Sequence, residues 1–240
     1  MTNPLPPRLG VRPFPGEPKV ERWQRQSWGW LAARLLGHGH GPRPVIVGVD
    51  GRAHGGGALV AERLSREVPG SAVVHVDELT HGGTGLGWDG QLAAGVLMPV
   101  RSGGAVSYRP PTWERAGLAG SIDVPAGTVL LVVEGVGSTR VSLGSLLDVT
   151  VWVQSDAEVT RSPGIARDER DERVEQAFLD ADRPWDRADF TVCGSPDLVS
   201  PGAIEDTVPR LLGARPVSSS DVVLVAAPRS PWDGIHACRC

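Results

Sequence analysis

The chain has 240 residues and a mass of 25.4 kDa, with 40% hydrophobic and 22% charged residues, which suits one sizeable core and excludes a coiled coil or a solenoid. Lys plus Arg is 24 against Asp plus Glu 28, so the net charge of -4 and a pI near 5.9 provide no global basic field to gather nucleic acid or an anionic membrane. Gly 31 and Pro 21 occur without a Gly-X-Y period and mark many turns rather than collagen, and Lys19 is the only lysine, so every other basic residue is arginine.

The opening Met-Thr-Asn-Pro-Leu-Pro-Pro-Arg carries no apolar stretch, and no apolar run reaches the ~20 residues of a spanning helix, so a soluble, cytoplasmic protein is expected. Residues 1–18, with five prolines in the first fifteen positions, read as an extended, weakly ordered arm. From Val20 to Leu36 the apolar spacing predicts an amphipathic helix stopped by Gly37, its tryptophans packed on the domain.

Val45-Ile-Val-Gly-Val-Asp50 is a continuous apolar run of the kind that makes a strand buried on both faces. It runs into Gly51-Arg-Ala-His-Gly-Gly-Gly57, and Ala58 to Ser65 reads as a helix. Strand, glycine loop and helix form the opening unit of a phosphate-binding α/β fold. Further strands are predicted at Ala72 to Val76, Thr128 to Val133, Asp148 to Val153 and Phe190 to Cys193, with a polar helix around Asp168 to Leu179. This alternation predicts a mostly parallel sheet covered by helices on both faces. Ala203 to Leu212 reads as a helix, Ser218 to Ser220 as a linker and Asp221 to Ala226 as a strand or extended arm, with a polar tail from Pro228. The expected organisation is therefore an arm over 1–18, an α/β domain over 19–215, and a linker and tail over 216–240.

The P-loop pattern G-x-x-x-x-G-K-[ST] is chemical: glycines let backbone N–H groups wrap phosphates, the lysine reaches the β- and γ-phosphates, and the hydroxyl holds Mg²⁺. Gly51 and Gly56 stand at its glycine positions, with Arg52 and Gly55 between them, but Gly57 and Ala58 stand where the lysine and hydroxyl belong. No Ser or Thr lies between Gly51 and Leu64, so Mg²⁺ would have to lean on Asp77 and Glu134 through water. A replacement cation would have to be an arginine, Arg52 or Arg167.

Val47-Gly-Val-Asp-Gly-Arg52 and Ala61-Glu-Arg-Leu64 resemble the loop and helix of the uridine kinase-like branch of P-loop kinases. His75-Val-Asp-Glu-Leu79 is similar to that family's His-x-Asp-Asp segment, Gly87-Trp-Asp-Gly90 to the same stretch of its actinobacterial members, and Val132-Val-Glu-Gly135 to its strand-end Glu-Gly. The resemblance covers about residues 20–195. It implies an α/β P-loop fold, ATP and Mg²⁺ as cofactors, Asp77 as general base toward an acceptor hydroxyl, Glu134 near metal and acceptor, and Arg161 and Arg167 as the lid arginines that clamp phosphates. The sequence departs from the family at Gly57, Ala58 and Glu78, and in Ser162-Pro-Gly164 between the lid arginines. Losing a preorganised charge costs ~10²–10³ in rate, so phosphoryl transfer is expected to be weak or absent.

On the residues alone, Asp50 and Asp77 can equally cap the turns that follow their strands, and Asp168 to Arg173 can be a solvated helix face. The tail gathers His236, Cys238 and Cys240, soft ligands for Zn²⁺ or Cu⁺ but without paired C-x-x-C knuckles. Two of the three cysteines lie there, so no disulfide framework holds the fold. The expectation is a degenerate kinase-like protein serving as a binding or scaffold domain, with a nucleotide or no small-molecule partner and neither nucleic acid nor membrane. An active kinase on a nucleoside-like hydroxyl, and a carrier presenting its Trp/His/Cys tail to a modifying enzyme, are the alternatives.

Overall fold

A run of β-branched residues bounded by turn formers specifies the central strand, and the rest of the sheet assembles on its two edges. The computed structural model describes residues 11–80, 87–160, 169–195, 204–206 and 222–226. In chain order these form β1 (Trp23–Ser27), α1 (Trp28–Leu36), β2 (Val45–Gly51), α2 (Gly57–Glu67), β3 (Ser71–His75) and α3 (Val76–Thr80). There follow α4 (Asp89–Leu92), a π turn (Ala93–Leu97), α5 (Met98–Arg101), β4 (Val106–Tyr108), α6 (Pro111–Ala116), β5 (Ile122–Val124) and β6 (Leu130–Glu134). A 3-10 turn (Val141–Leu146) leads to β7 (Val149–Gln154), α7 (Ala157–Thr160), α8 (Glu169–Asp182), β8 (Phe190–Cys193), β9 (Ile204–Asp206) and β10 (Val222–Ala226).

Among the described residues eight strands make the main sheet, in the order β3-β6-β2-β7-β8-β10-β1-β9. All run the same way except β10, which pairs antiparallel with both β8 and β1. Every residue of β2 is buried. Val45, Val47 and Val49 face the layer of α1 and α2, while Ile46 faces the layer built by α3 to α5 and the small β4-β5 ribbon. This period-two division is how a parallel strand feeds two cores at once.

The predicted helix over Val20–Leu36 is corrected. Its first half is β1, and α1 starts only at Trp28, where the Ser27 side chain accepts a hydrogen bond from the Trp30 amide. Ser27 is a good N-cap, and pairing of Trp23–Ser27 with Val222–Ala226 supplies the backbone partners that make the preceding residues a strand. Trp23 and Trp28 are buried, as expected of core aromatics. The helix predicted over Ala203–Leu212 is also corrected at its start, because Ile204–Asp206 pairs with β1. Residues 11–18 of the arm are packed on the domain rather than loose: Phe14 and Glu17 are both buried. The predicted linker over Ser218–Ser220, the expected clamp residues Arg161 and Arg167, and the tail residues His236, Cys238 and Cys240 lie outside the described residues. No helix among the described residues is long and apolar enough to cross a membrane.

Candidate functional site at the carboxyl edge of the sheet

The chain goes from β2 outward to β3 on one side, and from β6 across β2 to β7 on the other. At such a switch point the loops leaving the strand ends part, and the crevice between them is where open α/β sheets bind ligands. The loop after β2 holds Arg52 to Gly56, and α2 begins at Gly57, so the N–H groups of the first turn of an eleven-residue helix face this crevice.

The glycines of the loop are fixed by close backbone packing. Gly56 has φ of +97°, and a Cβ there would stand 3.0 Å from the Gly194 carbonyl oxygen. A Cβ on Gly194, just after β8, would lie inside van der Waals contact of the Gly55 carbonyl oxygen. Neither neighbour is a side chain that can swing away. Gly194→Ala is therefore expected to cost about 3 kcal/mol in urea unfolding, whereas Gly144→Ala, whose Cβ meets nothing within 4 Å, changes the midpoint little. Equal midpoints for the two variants would refute this packing.

Asp50, the penultimate residue of β2, is fully buried and accepts four hydrogen bonds: from the amides of Gly51 (2.9 Å), Gly137 (2.8 Å) and Thr139 (3.0 Å), and from the Thr139 hydroxyl (2.7 Å). It staples the loop after β6 to the central strand. Burial pushes its carboxyl up to about 6 despite those donors. The turn-capping reading of Asp50 thus matches its surroundings.

Beside it, parallel register places His75 opposite Glu134. Their side chains meet, with Nδ1 2.6 Å from Oε2. Burial raises the Glu134 carboxyl, the His75 contact pulls it back, and the charge of Asp77 raises it further. Asp77 itself is exposed in the first turn of α3. The other oxygen of Glu134 is aimed at the glycine loop: a Cβ on Gly57 would lie 2.6 Å from Oε1. The start of α2 is thus faced by a carboxylate.

Arg52, the one cation within the loop, is turned away. Its side chain is 3% exposed, with Nε 2.6 Å from Glu17 Oε1 and Nη1 3.6 Å from Glu175. Nη1 donates to Gln176, and the guanidinium lies 3.7 Å over the Phe14 ring. As it stands Arg52 is engaged by the arm and α8 and does not reach the glycine loop. The five residues from Glu169 to Arg173 at the start of α8 are exposed, a solvated helix face.

Two features escaped sequence reasoning. Arg140 lies over Trp88 at 4.5 Å and Phe178 at 5.0 Å and pairs with Asp89 at 3.4 Å, locking the Gly87–Gly90 segment to α8. Its only sequence signal was the glycine-flanked stretch after Glu134. An apolar hollow beside Gly56, bordered by Trp28, Leu59, Val223 and Leu224 with Arg63 and Cys193 at its wall, was likewise unforeseen. Its lining comes from elements distant in the chain. Among the described residues no three His, Cys, Asp or Glu side chains converge so as to hold a metal ion.

The fold is similar to that of a solved structure. A structure described as a possible uridine kinase from Bacillus stearothermophilus superposes with a TM-score of 0.51 at 17% identity, covering 68% of this chain and 96% of that one. The fold is that of P-loop kinases. A candidate fructose transport system kinase from Silicibacter sp. TM1040 also matches, with a TM-score of 0.41 at 15% identity over 68% of this chain and 88% of that one. No protein-family model and no curated protein matches the chain.

The residues present fit part of the cofactor that such a fold implies. The backbone of the loop and the N-terminus of α2 suit a phosphate group. The side chains offer little to magnesium-bound ATP: Ala58 has no hydroxyl, Gly57 has no amine, and the Glu134 carboxylate faces Gly57.

Proposed function

We propose that the protein is a nucleoside kinase-like P-loop domain that retains a weak site for a phosphate-bearing organic ligand, has lost efficient phosphoryl transfer, and serves as a cytoplasmic binding or scaffold domain. The observation that carries this reading is the Glu134 carboxylate standing 2.6 Å from the Cβ position of residue 57, on a loop whose lysine and hydroxyl positions are Gly57 and Ala58. A carboxylate there opposes the phosphate electrostatically and fills the space through which a longer side chain would leave the backbone. The apolar hollow next to Gly56 suits the non-phosphate part of such a ligand.

Titration calorimetry of the full chain with pyrophosphate and with ATP, each with and without Mg²⁺, tests this. Pyrophosphate is expected to bind weakly, ATP to bind no more than about tenfold better, and Mg²⁺ to add nothing, since the group that would hold it is missing. Magnesium-dependent ATP binding at micromolar strength, with turnover in the presence of a nucleoside, overturns the proposal in favour of a working kinase with Asp77 as base and Arg161 and Arg167 as clamp.

A further inference from the structure

Several contacts hold the N-terminal arm near the glycine loop and the helices beside it. The Arg12 amide donates to Asp156 Oδ2 at 2.9 Å, and the Ala157 amide donates to the Arg12 carbonyl at 2.9 Å. Gln154 Nε2 donates to the Pro18 carbonyl at 2.7 Å, and the Arg12 guanidinium pairs with Glu158. Between these anchors Phe14 and Glu17 close over Arg52. The arm thereby joins the loop to α7 and α8, the two helices that flank residues 161–168.

The Glu17–Arg52 pair is an expensive way to fasten a chain segment. Both side chains are almost wholly buried, and a buried ion pair returns little net stability compared with apolar residues of the same size. The pair is also imperfectly satisfied. Arg52 Nη2 and Glu17 Oε2 are buried with no hydrogen-bond partner among the described residues. Residues 11–18 belong to no strand or helix, so no sheet pairing has to break when they leave. Meanwhile Arg52 is the only Lys or Arg from Gly51 to Glu62, on a loop that lacks its lysine.

We propose that residues Arg12–Pro18 are a displaceable strap that holds Arg52 away from the glycine loop, and that on release Arg52 supplies the positive charge by which the loop takes a phosphate-bearing ligand. This rests on reading the loop as a phosphate site. A guanidinium delivers paired donors to phosphate oxygens in a way a carboxylate-facing loop otherwise cannot. Binding and strap release are then coupled, and coupling is reciprocal: phosphate must loosen the strap by the factor by which the loosened strap favours phosphate.

Lys19 makes this measurable in the unmodified full chain, because it is the only lysine and sits directly after the strap. A lysine-specific protease can cut nowhere else. Saturating pyrophosphate is expected to speed cleavage at Lys19 about fivefold or more, and the same addition to Arg52→Gln is expected to leave the rate unchanged. Phe14→Ala combined with Glu17→Gln is expected to cleave rapidly without ligand and to bind pyrophosphate about tenfold more tightly by calorimetry, a gain that Arg52→Gln removes. Cleavage that pyrophosphate leaves unchanged or slows in the parent overturns the strap, whether or not the double variant folds. If pyrophosphate binds parent and double variant equally well, the phosphate site stands and the strap falls; if it binds neither, both fall.

Discussion

Asp50→Ala is expected to lower stability by about 4 kcal/mol, read as a shift of the urea midpoint with unchanged slope. The change strands three backbone amides and the Thr139 hydroxyl in a site with no access to water, and each orphaned donor costs ~1–3 kcal/mol with only partial additivity. Asp50→Asn keeps the shape and one acceptor oxygen but turns an NH₂ group toward donors, so a loss of about 2 kcal/mol is expected. An asparagine variant as stable as the parent would show that the carboxylate is not the staple described above.

The same residue has a pH signature. Its carboxyl in the folded chain titrates at about 6, above the ordinary 3.8, so between those values the folded state holds the proton more tightly than the unfolded state does. The sign follows: the stabilisation linked to that proton is complete below about pH 4 and is lost as pH rises through 6. Asp148 pulls the opposite way, because its pairing with Arg43 and the Ile46 amide outweighs burial and holds its carboxyl below the usual range. Subtracting the Asp50→Asn profile from that of the parent cancels Asp148 and should leave a difference that falls between pH 4 and 6.

Gly57→Lys combined with Ala58→Thr is expected to improve Mg-ATP binding by less than about tenfold, and adding Glu134→Ala to raise the gain to about 100-fold or more. In the double variant the new lysine meets the Glu134 oxygen at its own Cβ. Glu134 must give up its His75 contact to make room, and it then competes with phosphate for the ammonium charge. The triple variant removes both obstacles. If the double variant binds as tightly as the triple, Glu134 is no block, and the missing lysine and hydroxyl alone account for the weakness.

The elements that could be read from the sequence are those whose burial repeats locally. Val45–Gly51 is apolar at nearly every position because both its faces are covered, and Phe190–Cys193 is apolar and bounded by turns, so both strands were legible. Trp23–Ser27 was not, since its identity as a strand depends on Val222–Ala226 rather than on its own spacing. The three-residue strands Val106–Tyr108 and Ile122–Val124 are too short to show a period at all. At the site, Gly57 and Glu134 could each be picked out as positions, but that one faces the other follows from strand register. The engagement of Arg52 by Glu17 and Phe14 was hidden because the proline-rich arm gives no hint of where it docks.

The placement of β10 between β8 and β1 also bears on how the chain acquires its structure during synthesis. Residues 23–27 emerge from the ribosome early, yet their hydrogen-bonding partner is translated some two hundred residues later. The five parallel strands from β3 to β8 can associate before then, but β1 must wait with an unpaired edge and its Trp23 exposed. Closing so long a loop is slow compared with pairing neighbours. The nascent protein is thus expected to pass through a stage in which β1 is open to chaperones and to pairing with other chains, until β10 is translated.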